Sequence, residues 1–428
     1  MEALQIFGGA PLSGVLEIPG SKNSALAILS SVVLADGPVA LHNVPHVSDT
    51  RIKCEILRMF GAQADWHEGT LFVDSSHLSL GDTDEEKFRL IRTSFYLLGP
   101  LLARLGRVVL PAPGGCKIGA RPVDFHLKGL KALGADIELT GGSYVATCDR
   151  LKGAEIYLDF PSAGATQHLM SAAVLADGVT MIQNAAVEPE VVSLAHFLNK
   201  LGARIEGAGS NTITIMGVSR LSPGEYRVPS DRLQAGTYLL AGAITGGKVR
   251  TVGIMPEHQT ALVNKLREAG AEVDEGSDWV EVAAPHRLNG IKVMTMPYPG
   301  FPTDMQQPMA ATLCLAEGTS VVEETIYESR NGHVQELARM GAKIEAKGTT
   351  TVIEGVERLS GASVTASDLR AGAALVLAGL AAEGETVVRN VHFIDRGYEN
   401  LEANLKSLGA RIERIELDES SHKRESLT

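Results

Sequence analysis

The sequence predicts an α/β protein of two similar domains, each made of three copies of one unit of roughly 70 residues. Three observations predict it. First, a Gly-Ala pair followed by an alternating segment occurs six times, at Gly61-Ala62, Gly134-Ala135, Gly202-Ala203, Gly270-Ala271, Gly341-Ala342 and Gly409-Ala410, with spacings of 73, 68, 68, 71 and 68 residues. Second, an apolar, small-residue segment ends in glycine just before a β-rich run, again six times: Asp36-Gly37, Leu105-Gly106, Asp177-Gly178, Gly246-Gly247, Glu317-Gly318 and Glu383-Gly384. Third, the segments 24–34, 165–175 and 369–380 are apolar nearly all round, which predicts helices buried on every side.

Each unit therefore reads helix, strand, helix, strand, strand, with a further strand leading into the next, a βαβαββ-type unit. The Gly-Ala glycines close amphipathic helices such as 193–201 and 260–269, and a glycine past the last apolar turn is the expected C-terminal cap. Segments 70–73, 212–215 and 350–353 alternate as half-buried strands do. Six copies divide most simply as three plus three, each trio of helix pairs enclosing a core with its sheets outside.

A chain of 428 residues suits two domains. At 44% apolar and 21% charged it has an ordinary globular composition. The balance of 39 basic against 51 acidic side chains, net −12, argues against general binding to nucleic acid or an acidic membrane. It leaves room for an anionic substrate held by a few gathered cations. The cysteines, Cys54, Cys116, Cys148 and Cys314, show neither CxxC nor zinc-ligand spacing and read as reduced thiols. No signal peptide opens the chain, runs such as 25–35 are too short to span a bilayer, and 417–428 is polar.

The chemistry concentrates in residues 111–124, Pro-Ala-Pro-Gly-Gly-Cys-Lys-Ile-Gly-Ala-Arg-Pro-Val-Asp. The prolines and glycines predict a loop, long enough to serve as a lid. Cys116 lies close to Lys117 and Arg121, and a nearby cation favours thiolate. Lys22 and Asn23 follow Pro19-Gly20-Ser21 and precede the 24–34 helix, where an ammonium and free N–H groups suit an anion. Arg92, Arg121, Arg330, Arg370 and Arg396 are singly unremarkable, but as a set they supply forked donors for phosphate and carboxylate. Asp304, in Phe-Pro-Thr-Asp-Met-Gln, suits either a cap on the next helix or a general base.

The Gly-Gly-Cys loop, Lys22-Asn23, Phe301-Pro302-Thr303-Asp304-Met305-Gln306, Asp368-Leu369-Arg370-Ala371 and Asp395-Arg396-Gly397-Tyr398 resemble, in order, the motifs of the UDP-N-acetylglucosamine enolpyruvyl transferase family. The resemblance spans nearly the whole chain. It implies two inside-out α/β barrels, one from residues 22–229 carrying the cysteine loop, the other from 1–21 plus 230–428, with the active site in the cleft between them. It implies a bacterial cytoplasmic transferase that moves the carboxyvinyl group of phosphoenolpyruvate to the 3-hydroxyl of UDP-N-acetylglucosamine, the first committed step of peptidoglycan synthesis. No metal, cofactor, nucleic acid or membrane is implied, and a monomer is favoured.

By the same resemblance Asp304 is the base and Cys116 the acid, the residue that adds to phosphoenolpyruvate, and the target of the epoxide fosfomycin. Lys22, Asn23, Arg121 and Arg396 surround phosphoenolpyruvate, with Lys22 and Arg396 sharing the catalytic role. Arg92, Pro122, Val123, Asp124, Phe125, Ser162 and Ile326 contact the nucleotide sugar, Gly164 completes the turn at Ser162, and Arg370 and Arg330 support the site. Two departures stand out. Position 160 is Phe where some members carry lysine, and Asn331-Gly332 replace an aromatic and a methionine ahead of His333, which puts local sugar contacts in question. The rival readings are transfer to shikimate 3-phosphate or another UDP-sugar, and a non-catalytic UDP-sugar sensor.

Overall fold

A computed structural model describes residues 1–81, 83–113 and 123–417. Cys116, Arg121 and Pro122 lie outside the described residues. The chain divides into two units. One runs from Pro19 to Pro229; the other combines Met1–Ile18 with the chain from Ser230 onward. Each has its own hydrophobic core.

In the Pro19–Pro229 unit the inner helices are Lys22–Ser31, Leu98–Leu105 and Ala163–Ala173. The outer, amphipathic helices are Ser48–Met59, Asp124–Ala132 and Pro189–Lys200. In the other unit the inner helices are Arg232–Ile244, Gln306–Leu313 and Leu369–Ala381. Its outer helices are Thr260–Glu268, Val334–Arg339 and Leu401–Ser407. Every residue of Arg232–Ile244 except Arg232, and all of Gln306–Leu313, is buried. Helices with no polar face have to be covered on all sides, so the sheets lie outside them, and the strands alternate buried and exposed positions accordingly.

Four of the sheets repeat one pattern. A central strand pairs in parallel with a short leading strand and antiparallel with one arm of a hairpin. Val179–Gln183, for example, lies between Glu155–Tyr157 and Thr212–Met216, with Arg204–Glu206 at the edge. Five sheets have four strands and one, around Arg107–Pro111, has three among the described residues. The sheets are separate, so each unit is three sheets around helices rather than one closed hydrogen-bonded barrel.

The N-terminal segment belongs to the later unit. Glu2–Phe7 pairs with Glu385–Arg389 and Arg411–Glu416, completing the last sheet. Ser13–Glu17 is the leading strand for Lys248–Val252. The division falls between Ile18 and Pro19, three residues before the expected start at 22, and between Pro229 and Ser230. In the earlier unit the matching leading strand, Gly224–Arg227, comes from its far end and pairs with Pro38–His42.

The six Gly-Ala glycines all have positive φ, between 82° and 105°, and φ is also positive at Gly37, Gly106, Gly178, Gly246, Gly318 and Gly384 of the second repeated signal. A second backbone constraint recurs at Gly153, Gly290 and Gly361. A methyl group there would stand 2.3, 2.6 and 2.2 Å from the carbonyl oxygens of Val179, Thr319 and Glu385, so the leading strand can enter its sheet only through glycine. Gly361→Ala should therefore destabilise the protein by about 1–3 kcal/mol, read as a lowered thermal midpoint. An unchanged midpoint would show that the entry is not constrained in this way.

Candidate active site

In the Pro19–Pro229 unit, Ser21 caps the first inner helix, its hydroxyl accepting from the Ser24 N–H at 3.3 Å. The helix thus begins at Lys22, two residues before the expected start at 24, because the hydroxyl of Ser21 ends the turn that precedes it. The Lys22 ammonium lies 3.4 Å from Asp49 Oδ2, and both are largely buried. Asp49 sits in the first turn of Ser48–Met59, where the helix dipole favours a carboxylate. Asn23 is half-buried beside Lys22. Ser162 caps the third inner helix by accepting from the Ala165 N–H at 3.3 Å. Both caps are neutral, so the positive ends of these two helices are not neutralised by their own caps.

Arg92 opens the turn Arg92–Leu97, and the next carbonyl, Thr93, accepts from Lys53 at 2.7 Å. Val123, Asp124 and Phe125 form the start of the Asp124–Ala132 helix; Asp124 is exposed and its neighbours are half-buried. Gly164 leaves space for Tyr96, whose hydroxyl would stand 2.1 Å from a methyl group at that position. Phe160 is exposed, and Asp159 beside it pairs with Lys128 at 3.0 Å.

In the other unit three inner helices begin beside an aspartate, and the three aspartates differ. Asp231 caps its helix, accepting from the Leu233 and Gln234 N–H groups at 2.8 and 3.1 Å. Asp368 does the same for Arg370 and Ala371, at 2.9 and 3.1 Å. Gln306–Leu313 has no side-chain cap. Asp304, in the turn before it, instead accepts from Arg330 Nη2 at 2.7 Å and from Arg370 Nη2 at 3.1 Å. The two guanidinium groups are almost fully buried, whereas the Asp304 side chain keeps 27% of its surface exposed. A fixed, acceptor-only carboxylate with an open side is what a general base requires.

The cations around Asp304 are themselves held. Arg370 Nη1 donates to the Tyr398 hydroxyl at 2.9 Å, and Tyr398 meets Thr237 of the neighbouring inner helix, also at 2.9 Å. Arg330 Nη1 donates to Thr303 Oγ1 at 2.8 Å, and Thr303 donates to Glu324 Oε2 at 2.8 Å. Buried Glu324 also accepts from Thr295 and from the Ile326 and Tyr327 N–H groups, which fixes the turn that carries Ile326. Arg396 ends the turn Val391–Arg396, and its neighbour Asp395 is gripped by Arg414 through both oxygens at 2.7 and 3.0 Å.

The structure thus joins Asp304, Arg330 and Arg370 in one network, and places Ile326 on the carboxylate that holds its far end. Sequence reasoning did not single out Asp49, Glu324, Thr303 or Tyr398 as parts of this machinery. Glu324 offers no local signal, since Glu323-Glu324 reads as an ordinary acidic pair. The departure at Asn331-Gly332 also gains a physical reason. Asn331 Nδ2 donates to the Gly348 carbonyl at 2.9 Å, and a methyl group at Gly332 would stand 2.1 Å from Ser367 Oγ. These two residues serve local packing.

His333, next in the chain, is fully buried, and burial lowers its pKa to about 4, with nearby Asp368 opposing and Arg330 adding to the shift. Between that value and an unfolded value near 6.5, the unfolded chain takes up a proton that the folded one refuses. Stability is therefore lost as pH falls from about 6.5 toward 4, by on the order of 3 kcal/mol. Thermal midpoints at pH 7 and pH 5 should fall further apart in the native protein than in His333→Gln; equal falls would contradict the assignment.

Comparison with known proteins gives a consistent picture. A family model described as EPSP synthase (3-phosphoshikimate 1-carboxyvinyltransferase) matches residues 6–405. UDP-N-acetylglucosamine 1-carboxyvinyltransferase 2 of Carboxydothermus hydrogenoformans is 49% identical over 417 residues, covering 97% of this chain and 100% of that protein. UDP-N-acetylglucosamine 1-carboxyvinyltransferase of Trichlorobacter lovleyi is 47% identical over 416 residues, covering 97% and 99%. Among solved structures, the enolpyruvyl transferase NikO from Streptomyces tendae superposes with a TM-score of 0.89 at 28% identity, covering 97% of this chain and 99% of that one. EPSP synthase from Acinetobacter baumannii shares the fold, with a TM-score of 0.76 at 21% identity over 97% and 100% of the two chains.

Proposed function

Because the chain belongs to the EPSP synthase family of carboxyvinyl transferases, we propose that it transfers the carboxyvinyl group of phosphoenolpyruvate to the 3-hydroxyl of UDP-N-acetylglucosamine, releasing phosphate. It is a transferase, and the reaction opens peptidoglycan synthesis. Its substrates are small molecules of the bacterial cytoplasm. Among the described residues no helix is long and apolar enough to cross a membrane.

One observation carries the assignment of the base: Asp231 and Asp368 cap their helices, whereas Asp304 lies within the turn Thr303–Met305 and is held by two buried arginines. Asp304 takes the proton of the sugar 3-hydroxyl as that oxygen attacks C2 of phosphoenolpyruvate. An acid, assigned to Cys116 from its loop, delivers a proton to C3, giving a tetrahedral ketal phosphate. The bond from C2 to the phosphate oxygen then breaks, phosphate leaves with the electron pair, and C3 returns a proton to restore the double bond. Lys22, Arg121 and Arg396 stabilise the phosphate and carboxylate charge that shifts along this path. Asn23 acts beside Lys22, and Arg92, Pro122, Val123, Asp124, Phe125, Ser162 and Ile326 hold the nucleotide sugar.

The choice of acceptor rests on the relatives. Those of 47–49% identity over nearly the whole chain carry the UDP-N-acetylglucosamine name, whereas the EPSP synthase structure at 21% speaks for fold alone. Phosphate release from phosphoenolpyruvate, measured with and without UDP-N-acetylglucosamine, tests the reading. Release should require the nucleotide sugar, collapse in Cys116→Ala, and fall by at least about 100-fold in Asp304→Asn. Release that instead requires shikimate 3-phosphate, or that survives Asp304→Asn, would overturn it.

A further inference from the structure

The Pro19–Pro229 unit buries two histidines that the reaction does not use, and their hydrogen bonds run in one direction only. The Gly99 N–H donates to His168 Nε2 at 2.8 Å. A backbone N–H can only donate, so Nε2 is the unprotonated nitrogen and the His168 proton sits on Nδ1. That nitrogen lies 2.9 Å from His126 Nδ1. His126 therefore accepts there and carries its own proton on Nε2. The order Gly99 to His168 to His126 holds only while His168 is neutral, since a proton on Nε2 would displace the Gly99 bond.

The surroundings keep it neutral. Burial, then His126, then Lys53 push the His168 pKa well below its usual value. Lys53 faces the cluster from Ser48–Met59 with its ammonium on the Thr93 carbonyl. Tyr96 stacks on His168 at 6.0 Å, and Phe95 meets both imidazoles edge-on at 5.7 and 5.6 Å. No carboxylate is among the groups that shift it.

The pair also fixes a register. His126 and Gly129 are one turn apart on Asp124–Ala132, while His168 and Leu169 are adjacent on Ala163–Ala173. A methyl group at Gly129 would stand 2.4 Å from the Leu169 side chain, so the two helices touch there at closest approach. Close contact at Gly129 sets the distance between the helices. The imidazole pair sets their sliding and rotation, since a hydrogen bond between rings tolerates little of either. Val123, Asp124 and Phe125 lie one to three residues before His126.

We infer that His168 is a positioning residue for the acceptor nucleotide: through His126 it fixes the helix start that carries Val123, Asp124 and Phe125. This rests on the reading that those three residues hold the nucleotide. Two amides separate the two ends of the relay. His168→Gln places an acceptor where Nε2 was and keeps the Gly99 bond, but gives His126 no donor. His168→Asn places a donor where Nδ1 was and keeps the His126 bond, but abandons Gly99.

Steady-state kinetics on the full-length enzyme should show the KM for UDP-N-acetylglucosamine raised about tenfold in His168→Gln. KM for phosphoenolpyruvate and kcat should stay near their native values there, and His168→Asn should keep the native KM for the nucleotide sugar. Because KM belongs to the folded fraction, partial unfolding lowers apparent kcat and leaves this comparison intact. Equal KM shifts in the two variants, or none in His168→Gln, would overturn the proposal. Asp124→Ala separates the two levels. A raised KM in Asp124→Ala with none in His168→Gln removes the positioning role alone. No shift in Asp124→Ala removes the nucleotide reading beneath it.

Discussion

Helices with no polar side determine the rest of this molecule. Arg232–Ile244, Gln306–Leu313 and Leu369–Ala381 are buried along almost their whole length, and so are most of Lys22–Ser31 and Ala163–Ala173 in the other unit. Such helices cannot lie on a surface. They force the sheets to the outside and leave polar chemistry to the helix ends, where four N–H groups lack partners within the helix. Site and core are therefore consequences of one constraint. The apolar bodies close the fold, and the N-terminal ends are where charge can be gathered.

The two units use those ends differently. In one, serine hydroxyls cap the first and third inner helices, so their dipoles stay available to anions. In the other, aspartates stand at all three starts. Two are spent as caps, and the third is turned aside onto Arg330 and Arg370. Asp304 lies within the turn Thr303–Met305 rather than at a cap position, so its carboxylate is not committed to the helix start. The substitute restraint on Asp304 comes from farther away, through Thr303 and Glu324 on one side and Tyr398 and Thr237 on the other. Buried charges arranged in this way are held by networks rather than by single pairs.

What the sequence revealed follows the range of the forces involved. The six repeats were legible because a left-handed glycine after a helix is a local demand, and Gly61, Gly134, Gly202, Gly270, Gly341 and Gly409 all meet it. The all-apolar helices were legible from composition along a few turns. Asp304 was ambiguous because a cap and a base share one local sequence, and only arginines 26 and 66 residues away resolve it. The partner of Lys22 lies 27 residues on, and Glu324 reaches Thr295 across 29. Nothing in a window of ten residues announces such pairs. His168 left one trace, a ring with two polar nitrogens in a segment otherwise fit for a core, but its bond to Gly99 spans 69 residues. The start of the first inner helix was misplaced by two residues because Lys22-Asn23 read as an approach to the helix, while the Ser21 hydroxyl makes them its first turn.

The central claim is that chemistry occurs at C2 of phosphoenolpyruvate, with Asp304 activating a sugar hydroxyl, rather than at phosphorus. Phosphoenolpyruvate carrying heavy oxygen in the bridge between C2 and phosphorus tests it directly. After turnover with UDP-N-acetylglucosamine, addition and elimination at C2 place the label in the released phosphate and leave an unlabelled enol ether on the sugar. Label retained in pyruvate would mean that the phosphorus–oxygen bond had broken, and would contradict the account.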